Sequence, residues 1–475
     1  MPYDRLTRSN SPRPATGIVH LGIGAFFRAF GATFIASSMS SSGGDWGIVG
    51  VSLKSPKTRD ALAPQGWAYT SVKLGVEKET TDTIEVLNDV LVALEDPNAV
   101  LDLMSDPCVK IVSLTVTEKG YCHSPATGKL NANHPDIQHD LRYELPSSTI
   151  GFLVRALQKR REAGNPPFTV LSCDNLPENG KLVRGLVLEF ANQIDPLLAD
   201  WIAEQGRFPS TMVDRITPAT TEMDIARLAK LIGRQDAAPV MHEEFAQWVV
   251  EDNFVGNARP DLASAGVEMV ADVTAHEHMK LRMLNGTHSA LAYIGYLAGH
   301  KTIADTMADP EFVAYVQKLW SEISPTVVAP AGARLSDYAD TLLGRYTNPR
   351  VQHQTWQIAM DGSQKLPQRL LGTLKDNIEA GRESPALYLA VAAWMSYVSG
   401  TDENGQQIDV RDPLATRLRA LSESFETHTD RVAALLNINE IFSAYLAERL
   451  QEPLSVSAER LSALGARGAV KELLL

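Results

Sequence analysis

At 475 residues the chain is too long for one ordinary core, so two domains or one elaborate pair is expected. Its 44% hydrophobic and 21% charged content is that of a globular protein, and its net charge of −13 argues against nucleic acid or an anionic membrane as partner. Cys108, Cys122 and Cys173 show neither metal-ligand spacing nor a disulfide framework, the N-terminus lacks an apolar signal core, and no run of 18 apolar residues follows, so a cytoplasmic location is expected.

Residues 1–16 are polar with three prolines and read as an arm. GIVHLGIGAFFRAF (17–30) then gives a short strand over 18–21, a turn through Gly22 and Gly24, and a helix from 28 towards 39. Strand, glycine turn and helix start are the parts of a dinucleotide-binding turn, because two glycines let the backbone approach a pyrophosphate. Gly22, Ile23, Gly24, Ala25, Phe26 and Arg28 are therefore candidate cofactor contacts. The third glycine of G-x-G-x-x-G is absent, and Phe27 stands in its place. A second strand over 46–53 follows at a βαβ interval. Its end is where an acidic residue usually grips the ribose of NAD. Here LKSPKTRD (53–60) puts Lys54, Lys57 and Arg59 before Asp60, which reads as a solvated loop or as tolerance of a 2′-phosphate.

IVSLTVTEKGYC (111–122) reads as a buried strand ending in Thr115, Thr117, Glu118 and Lys119, and FTVLSCDNLPENG (168–180) as another ending in Asp174 and Asn175. Polar residues at such carboxyl ends are where an open α/β sheet places its ligands, which adds Thr115 to the cofactor side. The mixed pattern continues through 213–220 and 243–254. After 271 the strand signals stop, and amphipathic helices dominate (276–300, 310–323, 368–379, 386–399, 414–423, 430–448). An α/β, dinucleotide-binding domain over 1–271 and an α-helical domain over 272–475 are expected.

The first helix of the second domain carries the chemistry. HEHMKLRMLNGTHSALAYIGYLAGH (276–300) is apolar at helical spacing except at Glu277, Lys280, Asn285 and His288. At about 100° per residue these four fall within roughly 140° on one face. Buried polar groups need partners, so the face is either a substrate site or a wet helix face with a satisfied histidine. A hydrolytic metal site on His276, His278 and His288 fails on spacing, because Lys280 stands where H-E-x-x-H needs its second histidine.

Lys280, Asn285 and His288 form K-x-x-x-x-N-x-x-H. With G-I-G-A-F-x-R-A (22–29), S-C-D-N (172–175), M-V-D-R-I-T-P (212–218) and D-G-S-Q-K-L-P-Q-R (361–369), the chain resembles the polyol-specific long-chain dehydrogenases from about residue 17 to its end. That family includes mannitol 2-dehydrogenases and fructuronate reductases. The resemblance implies a Rossmann-type N-terminal domain, a mostly α-helical C-terminal domain, and metal-free hydride transfer with NAD(H), with NADP(H) left open. It implies Lys280 as general acid/base, Asn175 and Asn285 as donors to the developing alkoxide, His288 as a substrate-hydroxyl ligand, and Glu277 on the proton exit. Asp214 joins the substrate side through the same motifs. The residue types suit the chemistry, since a ketone becoming an alkoxide needs fixed donors and a proton source.

Departures from the pattern fall at Phe27 and Phe30, which replace two family histidines near the glycine turn, and at His242-Glu243-Glu244-Phe245, which replaces C-E-P-F. Thr117-Glu118-Lys119-Gly120-Tyr121, and Gln357 where mannitol dehydrogenases carry arginine, resemble the fructuronate reductase branch. A uronate brings a carboxylate, and Lys119, Lys365 and Arg369 are the cations that could pair with it. The leading expectation is an oxidoreductase interconverting D-fructuronate and D-mannonate. The alternatives are a polyol 2-dehydrogenase and, in another class, a catalytically silent NAD-binding sensor. A small sugar acid or polyol is the expected partner, and a monomer or weak homo-oligomer the expected state.

Overall fold

Short β-branched runs build the first sheet of the computed structural model, which describes residues 3–124 and 127–475. The chain divides into two units, Met1–Thr274 and Ala275–Leu475. In the first, strands Thr16–Leu21 (β1), Gly47–Ser52 (β2), Leu87–Val92 (β3), Ile111–Leu114 (β4) and Thr169–Ser172 (β5) pair in the order β3-β2-β1-β4-β5. Every pairing is parallel. β4 and β5 are buried along their whole length, as both-face-covered parallel strands must be. The strand order reverses between β1 and β4, the switch point at which such sheets bind ligands. This is a Rossmann-type domain. Two three-stranded sheets flank it, one from Thr211–Asp214, Gln247–Glu251 and Glu268–Val270, the other from Tyr69–Leu74, Glu79–Ile84 and Val240–Glu243.

Several elements depart from the sequence expectation, each for a local reason. The strand expected over 111–122 stops at Leu114 because the buried Asp174 carboxylate takes the N–H groups of Val116 and Thr117, both at 2.9 Å. Thr117 enters the left-handed region at φ 65°, and Thr117–Gly120 closes as one helical turn. The helix expected from 28 to 39 is two, Ala25–Ala29 and Gly31–Ser42, broken at Phe30. The N-terminal arm, of which residues 1 and 2 lie outside the described residues, is tied down: Leu6 donates to Gln235 O and Arg8 to Leu87 O.

The second unit is helical. Thr287–Leu297 and Pro385–Tyr397 are buried almost throughout and form the spine of its core. The helix expected over 276–300 is composite: an α-turn Thr274–Met279, a π-helical segment Lys280–Gly286, and the α-helix Thr287–Leu297. The helix expected over 430–448 is also two, His428–Leu436 and Ala444–Leu473, the second capped by Ser443. No helix among the described residues is long and apolar enough to cross a membrane.

Candidate active site

The glycine turn after β1 shows why its residues are glycines. Gly22 has φ 95°, and a Cβ there would collide with the Thr115 carbonyl. Gly24 is exposed, and a Cβ there would meet nothing closer than Gly22 O at 3.9 Å, so the backbone before helix Ala25–Ala29 is open to a ligand. Those features fit a dinucleotide pyrophosphate. Thr115, at the end of β4, donates to Gly22 O at 2.8 Å and meets His20 Nε2 at 2.8 Å, bracing the turn from below. His20, not foreshadowed by any motif, is fully buried, and burial lowers its pKa to about 3.

The missing third glycine is explained by Phe27. Its ring stacks on His20 with centroids 3.3 Å apart, and Gly31 makes room for it, since a Cβ there would lie 2.6 Å from the ring. Phe30 is buried against Trp248 and Phe34. Both phenylalanines belong to the core. Ile23 is buried too, while Ala25 and Phe26 are half-buried. Arg28 is buried. Its guanidinium donates to Ala238 O at 2.5 Å and lies over the Tyr69 ring, an internal use rather than an open phosphate contact. Arg59 is likewise engaged, by Glu95 and Asp60, whereas Lys54 and Lys57 are exposed.

Asp174 organises the loops after β4 and β5, accepting from Val116, Thr117 and the Tyr121 hydroxyl at 2.7 Å. Burial raises its pKa. Asn175 follows in an exposed turn, Lys119 is exposed on its helical turn, and Asp214 is buried at the end of its strand. Cys122, His134 and Asp136 bring donor atoms within 4.8 Å of one another, a proximity that spacing hid. His134 Nδ1 there caps helix Pro135–Arg142 by accepting from Asp136 N–H.

In the second unit, Lys280, Asn285 and His288 are 7%, 8% and 6% exposed, so all three polar side chains lie inside. The π-helical register matters: i→i+5 bonding stacks residues five apart more nearly than an α-helix does, bringing Lys280 and Asn285 onto one face. Glu277 is half-buried one turn earlier. The π-helical Pro367–Leu371 lies against this segment, and Gly286 is what admits it, since a Cβ there would sit 2.7 Å from Arg369 O.

His288 is held between Tyr346 and His353, with ring centroids at 4.8 and 5.4 Å. Tyr346 donates to Leu284 O at 3.1 Å, and the Trp320 indole to Thr287 at 2.9 Å, which fixes the helix behind the imidazole. Burial, and then the charges of His353, Arg345, Arg369 and Lys280, lower the His288 pKa well below normal. Its Nε2 is buried with no hydrogen-bond partner. Arg369 donates to Ser289 Oγ at 3.1 Å, makes no ion pair among the described residues, and has its pKa lowered by burial to about 10. Lys365 donates to Ile358 O at 3.2 Å, with its pKa lowered by burial, then by Arg369, to about 8. Gln357 is exposed. The cluster therefore gathers Lys280, Asn285, His288, Lys365 and Arg369, and adds Arg345 and His353, which sequence motifs did not single out.

The sequence of this chain matches a mannitol dehydrogenase Rossmann domain over residues 16–264 and a mannitol dehydrogenase C-terminal domain over 272–460. It is 44% identical to D-mannonate oxidoreductase of Escherichia coli K12, covering 96% of this chain and 95% of that one. It is 38% identical to mannitol 2-dehydrogenase of Phaeosphaeria nodorum, covering 96% of this chain and 81% of the relative. The fold superimposes on Pseudomonas fluorescens mannitol 2-dehydrogenase, solved as a ternary complex with NAD and D-mannitol, with TM-score 0.90, 38% identity and coverage of 100% and 97%. The chain belongs to the mannitol dehydrogenase family of oxidoreductases.

Proposed function

We propose that this chain is an NAD-dependent oxidoreductase interconverting D-fructuronate and D-mannonate. The observation that carries the reading is Arg369, a burial-perturbed guanidinium with no carboxylate partner among the described residues, acting on the same imidazole as Lys280. A half-buried guanidinium with no carboxylate partner among the described residues is placed to receive an anion. A sugar acid supplies that anion and a polyol does not. The E. coli relative named D-mannonate oxidoreductase agrees with this choice.

When bound, the nicotinamide supplies the hydride taken up by the ketone carbon, or accepts it in the reverse direction. Gly22, Gly24 and the start of helix Ala25–Ala29 would hold its pyrophosphate. Lys280 gives its proton to the ketone oxygen during reduction, and its free amine takes the hydroxyl proton during oxidation. Asn285, on the same face, donates to that oxygen as charge develops, and Asn175 is the second donor implied by the motif match. Burial, and then its cationic neighbours, keep His288 neutral, so its unpartnered Nε2 serves a substrate hydroxyl without adding charge. Glu277 returns the proton to solvent. NAD is the preferred cofactor, and the absence of an acid among residues 54–59 leaves discrimination against NADP modest.

A panel of hexuronates, aldonates and polyols, each with NAD(H) and NADP(H) and followed at the nicotinamide absorbance, tests the reading. Fructuronate and mannonate should have the highest kcat/KM. A polyol–ketose pair above both makes the chain a polyol 2-dehydrogenase, and binding of NADH with no turnover of any substrate makes it a silent sensor.

A further inference from the structure

We infer that His353 is a specificity-determining residue of this site, receiving the carboxylate of a sugar-acid substrate on its Nδ1 beside Arg369. The inference rests on the uronate reading above and adds to it the residue that completes the anion site.

His353 lies in the connection between helices Leu335–Tyr346 and Thr355–Ala359, remote in sequence from the Lys280 motif. Its Nδ1 is buried with no hydrogen-bond partner. A buried polar atom left unpaired costs about 1–3 kcal/mol, and such atoms are rare enough to need a reason. Here two occur together: His353 Nδ1 and His288 Nε2 belong to rings packed edge to face at 87°, with centroids 5.4 Å apart. The surroundings say what would satisfy them. The charges acting on His353 are Lys365 and Arg369, and those acting on His288 are His353, Arg345, Arg369 and Lys280. All are cationic. Asp361 and Asp412 act on Lys365.

The occupant that suits the His353 side of this space, beside Lys365 and Arg369, is therefore an anion. Burial, then Lys365 and Arg369, keep the His353 ring neutral, with a pKa of about 4. A neutral imidazole has one N–H to give. A carboxylate only accepts, so its arrival fixes that proton on Nδ1. The backbone that carries the ring is tied down in advance: the His353 main-chain N–H donates to Val351 O at 2.8 Å and its carbonyl accepts from Ile303 N–H at 3.1 Å. Pre-set donors lose little entropy on binding. In this arrangement Arg369 and His353 take the carboxylate, leaving His288 Nε2 for a substrate hydroxyl.

The test compares H353A, H353N and H353D with the unmodified enzyme. Initial rates with fructuronate and fructose are measured alongside melting temperature and mannonate binding by calorimetry. Loss of one hydrogen bond to a charged group predicts that H353A weakens mannonate binding and raises KM for fructuronate about 10- to 100-fold, with kcat changed much less. H353N restores a donor near Nδ1 and should recover most of that loss. H353D sets a carboxylate against the substrate's own and should cut the fructuronate-to-fructose ratio of kcat/KM furthest. An unchanged ratio and unchanged mannonate affinity in folded H353A and H353D, with fructuronate turned over by the unmodified enzyme, overturns the His353 role alone. Failure of the unmodified enzyme to turn over fructuronate or bind mannonate overturns the uronate reading and this inference with it.

Discussion

Replacing Arg369 with leucine removes the guanidinium while keeping an apolar side chain in its place. In the resting protein Arg369 has one side-chain hydrogen bond, to Ser289 at 3.1 Å, and burial depresses its pKa to about 10. Partial burial of this cation without an ion-pair partner among the described residues contributes little to folding, and the leucine variant should melt no lower than the parent. Substrate binding moves the other way. Truncating one partner of an enclosed charge pair costs about 2–5 kcal/mol. Lys365 and His353 remain to share the anion, so the lower end applies, about 2–3 kcal/mol or roughly 30- to 150-fold. That loss should appear in KM for fructuronate and mannonate. Initial rates over a substrate series, with fructose and mannitol in parallel, separate this from a cofactor effect. Equal loss of uronate and polyol kcat/KM would refute the reasoning, because it would mean that Arg369 serves something common to both reactions.

Three further outcomes follow from other parts of the molecule. Lys280→Ala should lower kcat about 10²–10⁴-fold, the usual contribution of a general acid/base, while NADH affinity measured by fluorescence titration stays the same; an unchanged kcat would remove Lys280 from the chemistry. Gly22→Ala forces a side chain into the Thr115 carbonyl at φ 95°, so NADH affinity should collapse in a variant whose second unit still folds, and normal affinity would show that the turn can relax. His20 and His242 both have pKa values lowered by burial to about 3, from an ordinary 6.5. Their unfolded rings take up protons below about 6.5 while the native rings do not, so stability should fall as pH drops from about 6.5 towards 3, by up to about 5 kcal/mol for each ring. Denaturant midpoints that stay flat over that range would contradict it.

The parts of this molecule that were legible in sequence are those where residue type and local period say the same thing. Gly22 and Gly24 after a β-branched strand announce a nucleotide turn, whereas β3, at the edge of the sheet, has no such signal beside it. Lys280, Asn285 and His288 stand out because they interrupt an apolar stripe. The π-helical register that brings Lys280 and Asn285 together is invisible, since it is a hydrogen-bond shift and not a spacing of residue types. Arg28 sits in the right motif, but its direction depends on Tyr69 and Ala238, which reach it only through the fold. Lys119 and Gln357 lie exposed on their own units. His353 and Arg345 lie outside every motif. Only packing against His288 reveals them.

A crystal structure of the enzyme with NAD and mannonate tests the central claim most directly. The account predicts a carboxylate oxygen within hydrogen-bond distance of the Arg369 guanidinium, and the reacting secondary hydroxyl against Lys280 Nζ and the Asn285 amide. A carboxylate left in solvent, or a reacting hydroxyl that meets neither Lys280 nor Asn285, would contradict it.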